Sequence, residues 1–73
     1  MSYEYSKLSG RIKERCGSQA AFAAAIGLSE RTISLKMSSK RDWKQNEINK
    51  ACEILNIETK EISEYFFTPK VQY

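Results

Sequence analysis

Histidine is absent from this chain, proline occurs once, and glycine only three times in 73 residues. Without histidine the commonest general base and metal ligand are missing, and three isolated glycines cannot build a phosphate-cradling loop. Catalysis, a bound metal and a bound cofactor are therefore not expected. The two cysteines, Cys16 and Cys52, form no C-x-x-C pair. Neither a zinc site nor a disulfide framework has its ligands, and both thiols fall on apolar helical stripes, where cysteine acts as a small buried hydrophobe. No stretch approaches the roughly 20 apolar residues of a spanning helix, and no basic start with an apolar centre marks a signal peptide, so a cytoplasmic location is expected.

What is present suits one small helical core. A chain this short buries only about 60% of its unfolded surface, and an apolar fraction of 41% is enough for one compact bundle. Net charge is only +3, but it is unevenly placed. Arg31, Lys36, Lys40, Arg41 and Lys44 face Asp42 alone, whereas Glu47, Glu53, Glu58, Glu61 and Glu64 outnumber Lys50 and Lys60. Such a division presents one end to a polyanion and turns the other away, although a basic run is also what an ordinary solvated surface carries.

Helical periodicity runs through the chain. Leu8, Ile12 and Cys16 recur every four residues, predicting a first helix capped by Ser6 and ended by Gly17, with Gly10 inside it as a point of close backbone approach. Ser18 caps a second helix carrying Phe22 and Ile26, which stops at Gly27, a residue free to adopt the left-handed conformation. Ser29 caps a third helix containing Thr32, Ile33 and Met37, and residues 38–42 read as a loop. Ile48, Ala51, Cys52 and Leu55 follow the i, i+3, i+4, i+7 pattern, predicting a fourth helix over 44–56 with Trp43 as a core anchor before it. Thr59 is expected to cap a short fifth helix with Ile62, Tyr65 and Phe66 inward, ended by Pro69.

From Gln19 to Ser38 the chain reads QAAFAAAIGLSERTISLKMS. Ala23 is small where a following helix would cross it, Gly27 permits a tight turn, and Phe22, Ile26, Leu28 and Ile33 lock the crossing. On these six residues and Gln19, which opens the second helix, the segment resembles the helix-turn-helix of the phage Cro and repressor family. The opening YSKLSGRIKE and the close ISEYFFTPKVQ look like those of short Cro-like regulators from phages and prophages of low-GC Gram-positive bacteria. The resemblance implies an all-α, compact five-helix lambda-repressor-like domain over residues 1–67 with a tail at 68–73. It further implies a sequence-specific transcriptional regulator that reads a palindromic operator in double-stranded DNA as a homodimer. One departure stands out: Lys36 occupies a position usually apolar in that family, and Met37, four residues after Ile33, is expected to take its core role.

By that motif, Glu30, Arg31, Ser34 and Leu35 would contact bases, with Arg31 pairing to guanine, Glu30 accepting from cytosine and Leu35 touching a thymine methyl. Ser18, Gln19, Lys36, Ser39, Lys40, Arg41 and Lys44 would hold phosphates. Each could instead be an ordinary solvated residue. Phe66, Phe67, Val71 and Tyr73 around Pro69 would either pair two copies or pack on the domain itself. A second functional reading fits the same residues: an antirepressor that grips a partner phage repressor and masks its DNA-binding face. The modest charge, the apolar tail and Glu30, which would repel phosphates, all suit that reading.

Overall fold

Ordinary helix signals decide where each segment of this chain starts and stops. In the computed structural model, which describes residues 3–69, α1 spans Ser6–Cys16, α2 Gln19–Ile26, α3 Glu30–Met37 and α4 Gln45–Leu55. A 3₁₀ turn at Thr59–Glu61 leads into α5, Ile62–Phe66. The expected all-α, five-helix architecture is the one observed. Ser18 and Ser29 cap α2 and α3, their hydroxyls accepting from the N–H of Ala21 and Thr32 at 3.1 Å each. Gly27 ends α2 at φ +80°, and the N–H groups of Gly27 and Leu28 both donate to the Ala23 carbonyl at 3.0 Å. That double closure turns the chain tightly enough for α3 to pack on α2.

Each helix contributes its apolar stripe to one core: Leu8 and Ile12 from α1, Phe22, Ala23 and Ile26 from α2, Ile33 from α3, and Ile48, Ala51 and Leu55 from α4. Tyr65 and Phe66 of α5 close it, with Tyr5 and Ile57 from the connecting segments. Trp43 anchors the entry to α4 by standing edge-on to Phe66, ring centroids 5.2 Å apart. Cys16 and Cys52 are free and half-buried, and burial pushes the Cys52 thiol above its ordinary pKa, so it is less reactive than a solvent-facing cysteine.

Three local expectations need correction. Ser6 is the first residue of α1 and not its cap. The buried Tyr5 precedes it, and the Glu4 carboxylate accepts from the Ser6 N–H at 2.6 Å, doing a cap's work from two residues upstream. Gly10 marks no close approach, since a methyl group placed there would meet nothing within 4 Å. Thr59 opens a 3₁₀ turn and does not cap α5, which begins three residues later.

Two tethers went unread in the sequence. Arg11 on α1 reaches across to the end of α4, donating Nε to the Leu55 carbonyl and a terminal nitrogen to the Asn56 carbonyl, each at 2.9 Å. A planar guanidinium can bridge two adjacent carbonyls where a helix end leaves them unsatisfied. The chain's two described ends also pair: Glu4 N–H donates to the Thr68 carbonyl at 2.8 Å, Tyr3 forms a bridge with Pro69, and the Tyr3 and Phe67 rings meet edge-to-face at 5.7 Å. Phe66 thus packs in the core and Phe67 against Tyr3, while Val71 and Tyr73 lie outside the described residues.

Candidate functional site

The surface of interest is built on α2, the Gly27 turn and α3. Glu30, Arg31 and Ser34 are exposed along α3 and Leu35 is half-buried, so these four share one outward edge of the molecule. Gln19, at the start of α2, donates its amide to the Ser34 hydroxyl at 2.9 Å and fixes the spacing between the two helices. Ser18 is engaged as the α2 cap. Lys40, Arg41 and Lys44 are exposed on the following loop, and none belongs to an ion pair among the described residues. Both Lys40 and Arg41 send their backbone N–H back to the Leu35 carbonyl, at 2.9 and 3.2 Å, so the loop curls against the end of α3.

Two of the expected phosphate-holding residues face inward. Lys36 is 1% exposed, and its ammonium donates to the Asp42 carbonyl at 2.8 Å and pairs with the Glu47 carboxylate at 2.7 Å. It also lies 5.7 Å from the centre of the Trp43 ring. Lys36 is therefore the buried residue at the end of α3, and Met37, expected in that role, is only half-buried. The exchange works because Glu47 sits at the first turn of α4, where Lys36 can reach it and satisfy its charge internally. Burial raises the Glu47 pKa, but the hydrogen bonds from Lys36 and from the Lys44 N–H, with the charges of both lysines, outweigh that and hold it below the ordinary carboxylate value. Ser39 is half-buried in the left-handed region at φ +63°, its hydroxyl donating to the Tyr3 carbonyl at 2.7 Å and accepting from the Tyr3 N–H at 3.3 Å.

The outward edge is consequently less cationic than its sequence suggests. One of its five cations is withdrawn and neutralised, and the helix that would lead into a groove opens with exposed Glu30. Among the described residues no group of His, Cys, Asp and Glu is placed to hold a metal ion. No helix among them is long and apolar enough to cross a membrane.

Comparison with known proteins changes the functional expectation. No curated protein is significantly similar to this chain. A solved structure is: the solution structure of the modulator of repression (MOR) of the temperate bacteriophage TP901-1 from Lactococcus lactis. The two are 53% identical, the match covers 99% of this chain and 97% of that one, and they superpose with a TM-score of 0.82. Identity at that level over the full length overrides a helix-turn-helix likeness carried by seven positions. The assignment to the Cro and repressor family is therefore corrected, and with it the reading of the chain as a DNA-binding repressor. A family profile described as "Protein of unknown function (DUF739)" matches residues 1–69, and the chain belongs to that family.

Proposed function

We propose that this chain is a phage modulator of repression that acts by binding a partner repressor protein. The observation that carries the reading is its 53% identity, over nearly all of both chains, to a modulator of repression from a temperate phage. A modulator of repression needs a repressor to act on, and direct contact with it is the simplest physical route. The surface agrees with a protein partner. Helix-turn-helix geometry is a scaffold that fixes no function by itself. Here it presents an acid at the start of α3, beside a base, a serine and a half-buried leucine, which is closer to a mixed protein interface than to a phosphate-binding strip. By gripping the repressor's DNA-contacting face the chain would compete with operator DNA for it.

The test is a co-purification paired with a gel shift. Tagged full-length chain should retain the phage repressor at stoichiometric yield, should shift no operator duplex alone, and should displace the repressor from its operator. A sequence-specific operator shift by the chain alone, with no retained repressor, would overturn the reading.

A further inference from the structure

The N-terminal segment, the loop that runs from α3 to α4 and the end of α5 enclose a cleft of about 470 Å³. Its walls are Tyr3, Tyr5, Trp43, Phe66 and Phe67, five aromatic residues, with Asp42 as the one charged residue among the described residues that line it. Phe67 is 46% exposed, large for an apolar ring in so small a protein, and forms part of the cleft's mouth with Tyr3 against it. The Asp42 carboxylate belongs to no ion pair among the described residues, whereas its backbone carbonyl is pinned by Lys36. Asp42 is exposed, so its carboxylate stands at the rim of the ring-lined cleft, where the rings can attract a flat cation through their faces and the acid can set its direction.

The field inside the cleft has the matching sign. Burial raises the Tyr5 pKa, a hydrogen bond with Ser39 lowers it, and the Asp42 charge raises it further. Arg41 and Lys44 flank Asp42 in sequence; both are exposed and neither lines the cleft. The Lys36 ammonium near Trp43 is already neutralised by Glu47.

We infer that this cleft seats one arginine side chain of the partner repressor, its guanidinium stacked among the rings and hydrogen-bonded to the Asp42 carboxylate. The inference rests on the reading that the chain binds a repressor. It adds the chemistry of the contact: a repressor's DNA-contacting face carries arginine and lysine to neutralise phosphates, and the aromatic cleft with its acid takes one of them in place of a phosphate. Arginine fits better than lysine because its plane stacks on rings while its edge pairs with a carboxylate. Buried aromatic and arginine contacts of this kind dominate interface affinity.

The experiment is a titration of the full-length, ¹⁵N-labelled chain with the repressor's amino-terminal DNA-binding domain, following the indole N–H of Trp43, the chain's single tryptophan. That signal should move on binding. Asp42→Asn keeps the backbone carbonyl that holds Lys36, so it should melt like the wild type yet bind at least about tenfold more weakly, with Asp42→Glu recovering most of the loss. The difference between wild type and Asp42→Asn should shrink as salt is raised. Wild-type affinity in Asp42→Asn with an unmoved Trp43 signal would overturn the inference and leave the repressor-binding reading standing. Tighter binding by Asp42→Asn would also overturn it, since the seat would then take an apolar or acidic side chain. Absence of any binding by the wild-type chain would fail the repressor reading itself.

Discussion

Replacing Lys36 by methionine keeps the length and much of the volume of the side chain but deletes its charge, and it leaves Glu47 facing a low-dielectric interior alone. Removing one partner of a buried pair costs about 3–5 kcal/mol, because the remaining charge is desolvated without compensation. Glu47 still accepts from the Lys44 N–H at 2.8 Å and its side chain is 13% exposed, which places the cost at the lower end, about 3 kcal/mol. For a domain of this size that corresponds to a fall in Tm of about 12–24 °C. Urea unfolding followed by far-UV circular dichroism and Trp43 fluorescence would measure it. Lys36→Met/Glu47→Gln should recover a large part of the loss, giving a coupling energy above about 1 kcal/mol in the double-mutant cycle. The pH dependence supplies a second check. Glu47 has a depressed pKa when folded, so its contribution is complete above the unfolded value near 4.5 and is lost as pH falls through the folded one. The wild type should therefore lose stability below about pH 4.5, and Lys36→Met should lose less over the same interval. If Lys36→Met unfolds within about 0.5 kcal/mol of the wild type at neutral pH, and the two share one acid profile, the pair is not what holds the 38–44 loop against α4.

The remaining expectations are smaller. Gly10→Ala should raise stability by up to about 1 kcal/mol in the same urea assay, since Gly10 lies inside α1 with open space where a methyl would go; a loss would mean that the backbone there is not regular helix. Ser29→Ala removes the hydroxyl that accepts from Thr32 and should cost about 1 kcal/mol, with faster amide exchange at the first turn of α3 as the local readout. Ala23→Leu inserts three heavy atoms at a position 3% exposed between α2 and α3, and should destabilise by about 1–3 kcal/mol; an unchanged melting temperature would contradict the tight crossing of those helices. Arg11→Ala frees the Leu55 and Asn56 carbonyls and should cost about 1–3 kcal/mol, read as lowered urea midpoint with unchanged slope.

The helical frame was readable because its determinants are local. The stripe Ile48, Ala51, Leu55 predicted α4 to within one residue at each end, and Ser18, Gly27 and Ser29 marked their boundaries through hydrogen bonds made within four residues. What escaped was long-range pairing by residues whose type gives the wrong hint. A lysine in a run of cations reads as surface, and nothing near Lys36 signals that Glu47 and the Asp42 carbonyl converge on its ammonium. Arg11 reads as a solvated helix base until α4 brings two carbonyls to it from 44 and 45 residues away. The meeting of Tyr3 and Glu4 with Thr68 and Pro69 depends on how five helices stack, which no window of sequence contains. At the site, the exposure of Glu30, Arg31 and Ser34 followed from the motif. Their use did not, because the motif specifies how α3 is held out and says nothing of what it meets.

That gap has a physical content. A helix-turn-helix is two short helices locked by Phe22, Ala23, Ile26 and Ile33, all of which lie behind the surface and would serve any partner equally. The partner is decided by charges in front, and those are a matter of burial as much as of composition. Counting Lys36 as surface gives residues 31–44 a strip of five cations; placing it 1% exposed against Glu47 removes one, while Glu30 at the leading edge belongs to no ion pair among the described residues. Phosphate affinity scales with the number of cations that can reach the backbone, so each one withdrawn lowers duplex affinity. A lysine swung inward and a carboxylate left outside thus change the charge this edge presents, and composition alone does not reveal either.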